Sequence, residues 1–163
     1  MSEARAAIGD GRSSSLGIEI AASPDLVFRL ARDPLLWPAL LPHYSHARLL
    51  GRTPDGAIVA EFVARRPLIE LLGLGLPVAW RSAAWAEHGE RRLRFIHRGG
   101  ATAGMDVTWR IEPTAIGTRI TIDHRFPARV PLFAALVQRL FVRPIAGRTL
   151  ATFKALAEAL ADA

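Results

Sequence analysis

Between Ser45 and Pro127 the sequence alternates apolar and polar residues in six successive runs, and the alternation then gives way to a 3.6-residue repeat that lasts to the C-terminus. Period two is the signature of half-buried strands, and period 3.6 that of an amphipathic helix. Short turns between the runs favour an antiparallel meander, and a sheet with one apolar face needs a cover. The last run is the clearest. Ile120, Ile122, His124 and Phe126 line one face of Thr118–Pro127, and Arg119, Thr121, Asp123 and Arg125 line the other.

The other runs are Ser45–Arg52, Ala57–Arg66, Val78–Glu87, Arg92–Arg98 and Gly104–Glu112, which carries Met105, Val107, Trp109 and Ile111 on one face. Thr53-Pro54-Asp55-Gly56 and Pro113 to Gly117 read as turns. A seventh strand precedes them, Ser14–Ala21, with Leu16, Ile18 and Ile20 facing one way. Ser23-Pro24 then starts a short helix, serine as the cap and proline in the first turn. Pro34 ends it. Pro34 to Pro42 holds a second short helix, broken by Pro38. At the C-terminus, Ile145, Thr149, Phe153, Leu156 and Leu160 form one stripe. Leu132–Val142 is also helical in pattern, with Leu132, Leu136 and Leu140 in line, and Pro144 must kink or divide the two parts. The expected fold is therefore α+β: a curved seven-stranded antiparallel sheet around a long C-terminal helix, with two short helices after the first strand. Residues 1–13 are expected to be a flexible tail and 14–163 one ligand-binding domain. A sheet curved around a helix commonly leaves an apolar space between them.

Composition narrows the chemistry. The chain has no cysteine, which excludes disulfides, a thiol nucleophile and cysteine-based metal sites. No apolar run reaches the length of a membrane span, and Met1–Ser15 lacks an apolar signal core. A cytoplasmic protein is the expectation. The net charge is +6, and no acid falls between His124 and Ala157, where Arg125, Arg129, Arg139, Arg143, Arg148 and Lys154 do. Such a face attracts anionic partners, or is simply a solvated helix surface. Nucleic acid is not expected, because the aromatics fall on apolar periodicities rather than among the arginines.

Gly73-Leu-Gly-Leu-Pro and Gly99-Gly-Ala-Thr-Ala-Gly104 lack the residues of a dinucleotide or phosphate loop, and no cofactor is expected. No metal site is expected either, since His43-x-x-His46 does not bring both rings to one face in a loop-to-strand segment. The connection Pro67 to Pro77 is unusually apolar. It reads as a cavity lid, as a partner surface, as packing against Leu132–Phe141, or as a transient membrane-surface contact through Leu68, Leu71, Leu72 and Leu74. The oligomeric state is not legible.

Three segments carry a family resemblance. They are Ile18-Glu-Ile-Ala-Ala-Ser-Pro-Asp-Leu-Val-Phe28, continuing through Asp33 and Trp37-Pro38 to Pro42-His-Tyr44; Val78-Ala-Trp-Arg-Ser82 with Phe95-Ile-His97, Gly104-Met105 and Val107-Thr-Trp109; and Ile145-Ala-Gly-Arg-Thr-Leu-Ala-Thr-Phe-Lys154. In order and spacing the chain resembles the START-like (SRPBCC) superfamily, and within it the polyketide cyclase/dehydrase and coenzyme Q-binding branch. The resemblance implies the helix-grip fold and a hydrophobic ligand: a lipid, quinone or polyketide. By its pattern Trp37, Tyr44, Trp80, Ser82 and Trp109 match cavity residues of the aromatase/cyclase enzymes in type and place. The basic group those enzymes carry on the next strand falls on His97 or Arg98, and strand alternation favours His97. The arginine expected two residues beyond Ser82 is replaced by Ala84, so the group that would position a polyketide and stabilise an enolate is missing.

Strand alternation adds Phe95, Met105 and Ile122 to the expected ligand-binding face. If the protein is an enzyme, His97, His124 and Tyr44 are the groups available for acid–base chemistry. The alternative for each is a structural residue satisfied by its neighbours. Binding as a carrier or chaperone is the preferred function; a polyketide aromatase/cyclase or dehydrase is the alternative, and a sensor domain a third.

Overall fold

The computed structural model describes residues 5–8, 13–69, 74–99, 102–127 and 136–163. Its strands are β1 (Arg5–Ile8), β2 (Ser13–Ile20), β3 (Tyr44–Arg52), β4 (Ile58–Ile69), β5 (Leu74–Glu87), β6 (Arg92–Gly99), β7 (Asp106–Thr114) and β8 (Gly117–Arg125). Helix α1 is Pro24–Ala31, a 3-10 turn follows at Pro34–Leu36, α2 is Trp37–Leu40, and α3 is Arg143–Ala161. The strands form one antiparallel open sheet in the order β1-β2-β8-β7-β6-β5-β4-β3.

All seven expected strands are present. An eighth, β1, lies where the sequence reads as a tail: Arg5–Ile8 pair with Ser14–Gly17 of β2. The pairing is carried by backbone groups, and a four-residue edge strand leaves little side-chain pattern to read. The apolar connection is also shorter than expected, because β4 and β5 run further: Pro67 pairs with Gly75 and Ile69 with Leu74. β7 likewise continues to Thr114, so the expected turn at Pro113 shrinks to the hairpin before Gly117.

Helix α3 packs against both β2 and β4, which stand five strand intervals apart in the sheet. Five intervals span about 24 Å in a flat sheet. A helix is only about 10–12 Å across, so the sheet must curve to meet it on both sides. The buried face of α3 is Ile145, Ala146, Thr149, Leu150, Phe153 and Ala157. Leu160, expected in that stripe, is 48% exposed, and Leu156 is only half-buried. Two of its alanines, Ala146 and Ala157, face the sheet, where small residues let the backbones approach; Ala151, Ala155, Ala159 and Ala161 are exposed.

Pro144 does not break the helix. A π-turn at Gln138–Val142 precedes it, and the Arg143 N–H bonds to the Gln138 carbonyl five residues back. The wider turn accommodates the proline ring, which would otherwise press on the carbonyl four residues earlier. It also rotates the upstream face. Leu136 is 53% exposed while Val137, Gln138 and Val142 are buried. Leu132, the first leucine of that expected stripe, lies outside the described residues.

The cap and corner residues behave as their chemistry dictates. Ser23 Oγ accepts from the Leu26 N–H at 3.3 Å. Asp33 Oδ1 accepts from Leu35, and Pro38 sits in the first turn of α2, where a missing N–H costs nothing. Gly117 has φ +142°, and a Cβ there would lie 2.3 Å from the Ile20 carbonyl oxygen. Thr118 beside it donates to Ala22 O at 2.6 Å. This corner closes β8 against the entry to α1. The outer face carries cross-strand ion pairs, Arg119–Glu19, Arg110–Asp123, Arg94–Asp106 and Arg81–Glu61.

Candidate ligand-binding site

A cavity of about 80 Å³ lies between the concave face of the sheet and α3. Strand alternation sends one residue in two into it. β4 contributes Phe62, β5 Val78 and Trp80, and β6 Phe95 and His97. β7 contributes Val107 and Trp109, and β8 Ile122 and His124. Trp37 of α2 and Tyr44 at the start of β3 close one side, and Phe141, Val142, Ile145, Ala146 and Thr149 form the helical wall. Met105 and Thr102, from the β6–β7 connection, complete it.

The rings pack against one another. Trp37 stacks on Trp109 with centroids 5.0 Å apart, and Phe62 on Trp80 at 5.6 Å. Trp37 is anchored by its indole N–H, which donates to the Ala31 carbonyl at 3.1 Å. Drug-sized ligands occupy roughly 300–1,000 Å³. A ligand larger than a small ring system therefore requires these rings or the π-turn wall to move apart.

The polar groups fall in two places. On the sheet side, His97 Nδ1 is 2.6 Å from Thr102 Oγ1. Burial, reinforced by the neighbouring His124, lowers the His97 pKa to about 3. Burial also lowers His124 to about 4, against the opposing pull of Asp123 and a hydrogen bond to the Ser14 backbone. On the helix side, His43 Nε2 is 2.9 Å from Thr149 Oγ1. Burial and Arg148 lower His43 to about 4. Burial pushes the Tyr44 phenol up, and a hydrogen bond to Thr149 partly offsets this. At neutral pH all four are uncharged. They can give and accept hydrogen bonds, but imidazoles this weakly basic are poorly matched to proton transfer at pH 7.

Trp37, Tyr44, Trp80, Phe95, His97, Met105, Trp109, Ile122 and His124 thus meet at one cavity. Ser82 does not join them. It is fully buried, pairs with His97 across β5–β6, and its Oγ has no partner. Its pairing with Ala60 and His97 puts it on the same inward face as Trp80, but it does not line the cavity. Ala84 instead lines a neighbouring groove of about 590 Å³, which shares Phe95 with the cavity and is rimmed by Arg32, Asp33, Arg52 and Asp55. His46 is exposed while His43 is buried, so the two rings of that pair point to different environments.

Sequence alternation alone does not point to Thr102 or the His43–Thr149 pair; Phe62, between outward Glu61 and Val63, follows from the alternation of its run. Thr149 is legible as the one polar member of the α3 stripe. Thr102 is not, since nothing in a glycine-rich connection signals which hydroxyl will meet a histidine.

The family model described as "Polyketide cyclase / dehydrase and lipid transport" matches residues 12–158. The chain belongs to this family. No curated protein matches the sequence. Among solved structures, the polyketide cyclase/dehydrase and lipid transport fold seen here is similar to the Zhui aromatase/cyclase from Streptomyces sp. R1128, with a TM-score of 0.72 and 17% identity over 90% of this chain and 93% of that one. It is also similar to a START superfamily protein from Mycobacterium smegmatis, with a TM-score of 0.68 and 16% identity over 91% and 99% of the two chains. A third is the protein TTHA0849 from Thermus thermophilus, with a TM-score of 0.64 and 23% identity over 90% and 94%. Likeness at these identities establishes the shared fold.

Proposed function

We propose that the protein holds a flat, hydrophobic small molecule of the lipid, quinone or polyketide class between its sheet and α3, as a carrier or chaperone. The observation that carries this reading is the lining itself: aromatic rings contributed by α2 and by strands β3 to β7, with buried imidazoles kept neutral by desolvation. A neutral polar group in an apolar cavity orients a ligand at little cost, whereas a charged one would have to be desolvated. Family membership supports the same ligand class. A cytoplasmic location is part of this proposal; among the described residues no helix is long and apolar enough to cross a membrane. Transient membrane contact through Leu68, Leu71, Leu72 and Leu74 belongs to the same reading; Leu71 and Leu72, and the side chains of Leu68 and Leu74, lie outside the described residues. Native mass spectrometry of the purified protein tests the proposal. A retained apolar mass, released on denaturation, supports it. A ligand-free protein that also takes up none of a panel of quinones, fatty acids and aromatic polyketides contradicts it.

The second reading is a polyketide aromatase/cyclase in which His97, His124 and Tyr44 move protons. It is favoured by both histidines and the phenol reaching the same cavity. Cyclised product from a poly-β-ketone above the spontaneous rate, lost in His97→Ala, would establish it.

A further inference from the structure

The cavity and the neighbouring groove lie end to end along one face of the sheet. Inward residues on a strand stand about 6.6 Å apart, and three strands carry the same progression. On β6, Leu93 lines the groove, Phe95 lines both spaces and His97 lines the cavity. On β5, Ala84 lines the groove and Trp80 the cavity, with Ser82 between them; on β4, Ile58 and Phe62 do so, with Ala60 between. In this dividing row Ala60 and Ser82 are small, and the one large side chain is Phe95. Its cross-strand partner is Ala84, only a methyl group, and its ring leans on Trp37 with centroids 5.5 Å apart and planes tilted by 47°. Ser82 buries in the same row a hydroxyl that has no partner, which buried hydroxyls rarely lack.

The cavity holds about 80 Å³, less than a drug-sized ligand fills, whereas the groove adds about 590 Å³. The groove is apolar where it approaches Phe95, through Pro34, Leu35, Ile58, Ala84, Ala86 and Leu93. Its rim balances Arg32 and Arg52 against Asp33 and Asp55, and so exerts no net pull on a charged group. We propose that Phe95 is a gate between the two spaces, and that the ligand is bipartite: a small ring in the cavity and an uncharged, unbranched apolar chain laid past Phe95 into the groove. Turning one phenyl ring between staggered rotamers opens the passage without lifting α3 from the sheet. The proposal rests on the ligand-binding reading above and adds to it the chain and the residue that admits it.

The test is isothermal titration calorimetry of the full-length protein with 4-ethylphenol and 4-hexylphenol, which share a ring and differ only in chain length. Each methylene buried is worth about fourfold in affinity, so the wild type should bind 4-hexylphenol about a hundredfold more tightly. Ala86→Phe puts a ring in the groove, outside the cavity, and should bring the two affinities within a few-fold of each other. Phe95→Leu shortens the gate and should widen the preference beyond the wild-type ratio. If Ala86→Phe fails to fold, Phe95→Leu carries the test alone. Near-equal binding of both probes to the wild type, or a ratio unchanged in the folded variant, overturns the gate and leaves the cavity reading standing. Binding of neither probe overturns both.

Discussion

The imidazole of His97 lies parallel to the indole of Trp80, with ring centroids 5.9 Å apart and planes 7° from parallel. Its other neighbours are Thr102 on Nδ1 and the imidazole of His124, which discourages a second charge. The stack holds His97 flat against the aromatic wall, and burial keeps it neutral there.

This has a pH consequence. His43, His97 and His124 are held at about 4, 3 and 4 in the folded protein, against about 6.5 in the unfolded chain. Between these values the unfolded state binds more protons, so stability is full above pH ~6.5 and falls as the pH drops toward 3–4. Each histidine contributes a slope of about 1.4 kcal/mol per pH unit across its window. Urea denaturation between pH 7 and 4 should show this decline. His97→Phe, which keeps a ring against Trp80, should reduce the slope by about one proton. An unchanged slope would mean that His97 is not buried neutral.

The grip on α3 depends on the residues that face the sheet. Leu150 and Phe153 are fully buried, whereas Leu156 is half-buried. Leu150→Ala should cost about 2–5 kcal/mol and Phe153→Ala about 3–5. Leu156→Ala should cost clearly less. The denaturant midpoints order the three, and a Leu156 variant as damaging as Leu150→Ala would place the helix face wrongly.

Gly117 cannot take a side chain without moving the Ile20 carbonyl. Gly117→Ala should destabilise by at least the ~1–3 kcal/mol of a strained backbone position. Gly51, which has open space around its would-be Cβ, is the control. Thermal melts of the two alanine variants should differ by many degrees.

On the chemistry, if the protein is a carrier, His97→Ala and Tyr44→Phe should alter ligand affinity alone, and no product should form at any pH. General acid–base groups contribute about 10²–10⁴-fold in rate. A loss of that size in a cyclisation assay, with affinity held within a few-fold, would instead assign them to catalysis.

How much was legible follows from what each signal depends on. Period-two patterns depend on one buried face, so β2 and β8 could be read residue by residue: Leu16, Ile18, Ile120 and Ile122 are buried as the alternation requires. Trp80 and His97 reach the cavity by the same logic. Pairing that relies on backbone alone, such as β1 with β2, leaves no such trace. Nor does alternation say which inward residues reach open space: Ser82 shares the face of Trp80 and His97 but does not line the cavity. The long helix was recognisable, but which of its apolar residues face the sheet depends on how closely the backbones approach, and that chose Ala157 over Leu160. Polar contacts between distant segments, His43 with Thr149 above all, depend on the assembled fold.

The central claim is that the space behind Trp80 and Trp109 is a ligand site. It is tested most directly by indole emission during titration with 2-methyl-1,4-naphthoquinone, comparing the wild type with Ala146→Leu. Ala146 lies in the helical wall of the cavity, so the larger side chain occupies the space itself. The wild type should quench saturably, and Ala146→Leu, folded by circular dichroism, should lose most of that affinity. Saturable quenching of equal affinity in both proteins would place the ligand elsewhere and contradict the claim.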